Sequence, residues 1–207
     1  MPVRLRSGVS LVLFLLVVLA LPVPVASQSA LPAPQEFAGF PLGEEGKLVR
    51  WEKIVEYFQL ADKASDRVVV EELGKSTLKN PFILAVISSP ANIARLEEIK
   101  ATQRRLAYPG DLSDDEAQRL AWSSPSVLLI TLNIHSTEIG SSQMALELVH
   151  RMATEDSPWM RHVLDNVVFL LVPSFNPDGQ ILVVDWYNKT KDSSHALAPM
   201  PWLYHHY

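Results

Sequence analysis

The stretch VLLITLNIHSTEIGSSQ, residues 127–143, contains the step on which the architecture turns. Six mostly apolar residues, Val127 to Leu132, read as a strand; both of its faces are apolar, as expected for the middle of a sheet covered by helices. The chain then turns polar at Asn133 to Glu138. It resumes apolar residues at Ala145, Leu148, Val149 and Met152, the spacing of a helix that buries one side. A strand that runs through a short polar loop into a helix is half of an α/β unit, and such folds bind ligands at the carboxyl ends of their strands. That loop carries a histidine, His135, and a glutamate, Glu138, three residues later.

Working outward, Val167 to Val172 (VVFLLV) is a further strand and runs into the turn-rich PSFNPDG, residues 173–179. Upstream, RVVVE (67–71) and FILAVI (82–87) are strand candidates, with Leu73 to Thr77 as a connector. Leu48, Trp51, Ile54, Val55 and Phe58 mark one apolar side of a surface helix. A helix begins near Pro90, carries Ile93, Leu96 and Ile99 on one side, and stops at Tyr108-Pro109-Gly110. Ser113 with Glu116 forms a capping-box pattern ahead of a brief helix through Leu120. Four strands alternating with helices predict an α/β fold whose mixed, largely parallel sheet is flanked by helices.

Composition sets the outer limits. A chain of 207 residues can bury a sizeable core but is short for two full domains. A formal charge of -5 gives no electrostatic footprint for nucleic acid. Arg4 and Arg6 precede the apolar run Val9 to Leu21, and small residues follow at Ala26, Ser27, Ser29 and Ala30. This is the pattern of a cleaved export signal over residues 1–27, which predicts a secreted or periplasmic protein with no stable membrane insertion after cleavage. The absence of cysteine fits a bacterial exported enzyme better than a disulfide-rich secreted module. Residues 28–47 read as an extended leader, and 48–207 as one domain that ends inside what looks like a loop, so a domain cut short is expected.

Imidazole nitrogen and carboxylate oxygen are common zinc donors, and a histidine and glutamate at a strand-to-helix junction can converge on one ion. Glu138 at a helix start would also be favoured as an anion by the helix dipole. Ser136 and Thr137 are positioned to cap that helix or to donate to the pair. A histidine closing a buried strand can equally be held by hydrogen bonds alone, and the motif does not choose between the two readings. His150, His162, His195, His205 and His206 supply no convincing third donor. Asn176-Pro177-Asp178-Gly179 reads as a tight turn at the sheet edge. A serine hydrolase is disfavoured, because no G-x-S-x-G elbow occurs and Gly140-Ser141-Ser142 falls inside a helix.

HSTE at 135–138, an apolar strand some thirty residues on, and PSFNPDG at 173–179 together resemble the zinc carboxypeptidases, the carboxypeptidase A-like metallopeptidases. The segments WEKIVEYFQLA, VVVEELGKST and FILAVI are similar to that family's approach to its site. The resemblance implies the N-terminal portion of a zinc carboxypeptidase-like catalytic domain, a zinc cofactor, and a peptide or small amide substrate cleaved at its C-terminal bond. It makes His135 and Glu138 the first two zinc ligands. It also implies that the second zinc histidine, the Asn-Arg pair, the tyrosine and the general base lie beyond Tyr207, so that no catalytic acid or base is assigned within this chain. The arginine expected near Trp186 to polarise the carbonyl is missing: Tyr187 or Asn188 stands there, and Lys189 is the nearest cation. An inactive peptide- or glycan-binding relative of the same fold is the alternative this departure raises.

Overall fold

The computed structural model describes residues 30–192 and Pro199. The expected export signal (1–27) and the last loop with His195, His205 and His206 lie outside the described residues. Among the described residues no helix is long and apolar enough to cross a membrane.

The leader contains a one-turn helix, α1 (Pro34–Ala38), closed by Gly39 at a φ of 81°. Helix α2 (Trp51–Ala64) follows and buries Trp51, Ile54, Val55, Tyr57, Phe58 and Ala61. Each large apolar side chain removed from water contributes about 1.5–3 kcal/mol, and the polar tips are not left orphaned. Trp51 Nε1–H donates to Pro81 O at 2.9 Å, and the Tyr57 hydroxyl donates to Pro32 O at 2.7 Å. Helix α2 is thus a surface helix with one buried apolar face, and Glu52, Lys53, Glu56 and Gln59 stand exposed on the other.

Strands β1 (Val68–Lys75) and β2 (Pro81–Ile87) form an antiparallel hairpin that registers Val68 against Ile87 and Lys75 against Pro81. The apolar run near Pro90 divides into α3 (Pro90–Ile93) and α4 (Leu96–Ala107), with Arg95 between them as the N-cap of the second. Helix α5 (Asp114–Ser123) starts at the expected Ser113–Glu116 capping box. Strand β3 (Ser126–Thr131), helices α6 (Ile139–Thr154) and α7 (Pro158–Asn166), strand β4 (Val167–Val172) and helix α8 (Pro177–Thr190) complete the order.

The sheet runs β1-β2-β4-β3. Its β1/β2 and β2/β4 pairs are antiparallel, and only β3/β4 is parallel. The expectation of a largely parallel sheet is overturned: the sheet is mixed but mostly antiparallel. The reason lies in the connections. Ser76 to Asn80 is too short to carry the chain back for a parallel partner, whereas α6 and α7 together supply the crossover that the parallel β3/β4 pair needs.

The main core lies on one sheet face, where Ala85, Ile87, Phe169 and Leu171 meet α2 and the Ala145, Leu146, Val149 and Met152 side of α6. On the opposite face Val86 and Val168 pack under Ile99 of α4. The expected central position of β3 is also corrected. Among the described residues it is an edge strand, with Val127, Leu128 and Leu129 exposed, and β4 lies between two neighbours. An apolar strand sequence records what the strand is able to bury, not how many partners the described chain provides.

Candidate metal centre

The parallel pair β3/β4 stays in register up to Thr131 opposite Val172, so both strands deliver their following loops to the same edge of the sheet. The two loops then continue to bond each other. Leu132 N–H donates to Val172 O at 3.0 Å, and Phe175 N–H donates to Leu132 O at 2.7 Å.

On the first loop the candidate ligands face each other. His135 Nδ1 lies 2.8 Å from Glu138 Oε1, and the His135 backbone N–H donates to Glu138 Oε2 at 3.1 Å. A turn closes beneath them through Glu138 N–H to His135 O at 2.9 Å. The two side chains are 40% and 43% exposed, open to a ligand arriving from solvent. The hydrogen bonds from the His135 imidazole and backbone hold the Glu138 carboxyl below the ordinary glutamate range, which keeps it anionic. Both residues lie at the junction between β3 and α6. Strand β3 ends at Thr131, and Glu138 is the N-cap of α6, without a side-chain capping bond. Ser136 does not cap that helix either: its hydroxyl is buried with no hydrogen-bond partner among the described residues.

Under this pair the loop is fastened from within. Asn133 is buried, with a left-handed backbone at φ 51°. Its neighbours fix the orientation of its amide. The nitrogen donates to His135 O at 3.0 Å and Glu138 O at 3.2 Å, while the oxygen accepts from Ser174 Oγ at 2.9 Å.

The second loop is a buried brace. Asn176 caps α8 by accepting from Gly179 N–H at 2.9 Å, and its Nδ2 donates to Ile134 O at 3.3 Å. A Cβ on Gly179 would lie 2.5 Å from Asn176 Nδ2 and 2.6 Å from Ser136 Cβ, so close approach of the two loops demands glycine there. Asp178, buried, accepts from Ser76 Oγ, from Leu78 N–H at 2.9 Å and from Asn80 Nδ2 at 2.7 Å, all in the β1–β2 turn. The residues expected to make a tight turn therefore open a helix. Asn at the cap and Pro in the first helical turn are helix starters as much as turn formers.

The donor chemistry suits zinc in part. An imidazole nitrogen and a carboxylate oxygen, here 2.8 Å apart, are the donor types that would hold the ion. Among the described residues no group of three or more His, Cys, Asp or Glu side chains could hold a metal. His150 and His162 thus do not join the pair. Beyond Trp186, Lys189 is exposed near the end of α8, and Lys191 Nζ donates to Gly46 O at 2.7 Å. Reading the sequence singled out neither Asn133 nor Ser174. The one signal was an asparagine directly after an apolar strand, since asparagine tolerates positive φ better than most residues.

Comparison with known proteins adds the family. The model of the zinc carboxypeptidase family matches residues 54–196. No curated protein matches the chain. Among solved structures, carboxypeptidase A from Helicoverpa armigera is similar at 22% identity and a TM-score of 0.46, over 69% of this chain and 28% of that one. A putative carboxypeptidase from Burkholderia mallei is similar at 21% identity and a TM-score of 0.44, over 65% and 27%. The chain thus spans under a third of the length of these two structures. With the family's model covering most of its length, the chain belongs to the zinc carboxypeptidase family.

Proposed function

We propose that the protein is a zinc-dependent hydrolase that cleaves the C-terminal peptide bond of its substrate, or a related amide, with His135 and Glu138 as two of the zinc ligands. Within a chain of this family, the observation that supports the reading is the 2.8 Å convergence of His135 Nδ1 and Glu138 Oε1 on an open face. Bound zinc supplies an activated water and polarises the substrate carbonyl. This chain's own residues would hold it: the carboxylate, kept anionic by its hydrogen bonds, offers negative charge, and the imidazole offers a ring nitrogen. We place the third ligand and the general base outside the described residues, and the protein itself outside the cytoplasm of a bacterium, secreted or periplasmic, on the signal-like pattern of residues 1–27.

The lack of an arginine next to Trp186 favours a second reading, an inactive peptide- or glycan-binding relative. Hydrolysis of a blocked dipeptide by the protein carrying its complete site separates the two.

A zinc titration against a chelating dye tests the ligand assignment on the 207-residue protein. Two protein donors should bind one zinc weakly, and His135→Ala should weaken that binding by about tenfold or more. Equal affinities in the two proteins would remove His135 from the site. No hydrolysis is expected of this chain alone.

A further inference from the structure

We propose that Asn133 is the positioning residue of this centre, holding His135 and Glu138 within reach of one another. The metal arm of this inference rests on the ligand reading above; the structural arm does not. Two features of Asn133 coincide. Its backbone takes the left-handed conformation at φ 51°, which turns the chain out of the β3 direction and into the ligand loop. Its side chain, 1% exposed, contacts the backbones of both candidate ligands. The amide nitrogen donates to the carbonyls of His135 and Glu138, and the amide oxygen takes the Ser174 hydroxyl from the loop after β4.

Glycine would satisfy the first feature alone. Asparagine satisfies both: it tolerates positive φ and presents a donor pair and an acceptor at once. The consequence is directional. The His135 carbonyl accepts from the Asn133 amide on one side and from Glu138 N–H on the other, so the turn that sets the imidazole–carboxylate distance is closed from beneath. Ser174, itself fully buried, ties that turn to the end of β4, a strand with neighbours on both sides.

Two substitutions separate side chain from backbone. Asn133→Gly keeps positive φ and deletes the amide. Asn133→Asp keeps shape and φ tolerance, but sets a carboxylate oxygen against two carbonyl oxygens. Amide hydrogen exchange is measured on 15N-labelled protein, and zinc affinity by competition. Both variants should exchange the Glu138 amide about tenfold faster, the factor that loss of one ordinary hydrogen bond produces. Core amides of Phe58 and Ala85 should be unchanged, which a general loss of stability would not allow. The His135 imidazole 15N resonances should move in the metal-free protein, and zinc affinity should fall about tenfold, as for other groups that orient a ligand. If Asn133→Gly matches the parent in Glu138 exchange and imidazole resonances, only φ matters and the inference is overturned. If the exchange and resonance changes occur but the parent itself binds no zinc, the positioning role stands and the metal reading falls.

Discussion

At two places among the described residues, the backbone N–H and the side chain of a polar residue both meet the carboxylate of a glutamate three residues on, and the local bonding is nearly the same. At Ser113–Glu116 the backbone N–H of the first residue donates to the carboxylate at 3.1 Å, and the serine hydroxyl donates at 2.7 Å. At His135–Glu138 the backbone N–H donates at 3.1 Å, and the imidazole Nδ1 sits at 2.8 Å. The first is a capping box that starts α5, a helix with no buried residues, and it is complete in itself. The second stands ahead of α6 and serves none of the helix's first N–H groups with a side chain. It is instead bolted from beneath by Asn133, Ser174 and Asn176, across 41 and 42 residues of chain. The spacing alone therefore makes only a local ring of hydrogen bonds. An imidazole in that ring and a buried foundation under it are what distinguish the second site, and they are what the proposed metal reading draws on.

The foundation is where the comparison breaks most readily. Asp178→Ala would strand the three donors of the β1–β2 turn and remove the link between that turn and α8. A loss of about 3 kcal/mol in urea unfolding is expected, in the range for buried donors left unpaired; a loss under about 0.5 kcal/mol would mean that water replaces the carboxylate. Among the described residues no buried carboxylate braces the capping box in this way. There Ser113→Ala should cost about 1 kcal/mol, the usual value of a lost N-cap. Glu138→Gln, at an exposed pair, should leave stability nearly unchanged while weakening zinc. If instead Glu138→Gln costs more stability than Ser113→Ala, the second site is a structural cap after all.

The smallest effect is in acid. Hydrogen bonds from Ser113 hold the Glu116 carboxyl below its ordinary range, as those from His135 do for Glu138. A carboxyl depressed in the folded state contributes stability above its unfolded pKa and loses it as pH falls through the folded value. Both contributions are therefore present at neutral pH and vanish below the ordinary glutamate range. Thermal unfolding followed from pH 6 downwards should decline less steeply in Glu116→Gln and in Glu138→Gln than in the parent. Identical slopes would show that the unfolded chain keeps the same bonds.

Much of this was legible along the chain because the signals are local. Helix α6, the capping box of α5, the strand VVFLLV and the α2 periodicity all follow from spacing within one element. The His135–Glu138 pairing is local too, three residues apart. The direction of the strands was not legible, because apolar alternation is blind to whether a neighbour runs parallel or antiparallel. Reading Leu73 to Thr77 as a connector also hid the hairpin, since β1 continues to Lys75.

Sequence by itself determined the alternation of strands and helices, the polar loop after β3 and the two side chains that meet there, since each depends on neighbours a few residues away. Tertiary structure decided what no window of residues contains: the mostly antiparallel order of the sheet, the position of β3 at its edge among the described residues, and the buried contacts of Asn133, Asp178 and Gly179. Those contacts join groups from about 40 to 100 residues apart, and burying a polar group is tolerated only where a partner from elsewhere in the chain arrives to satisfy it.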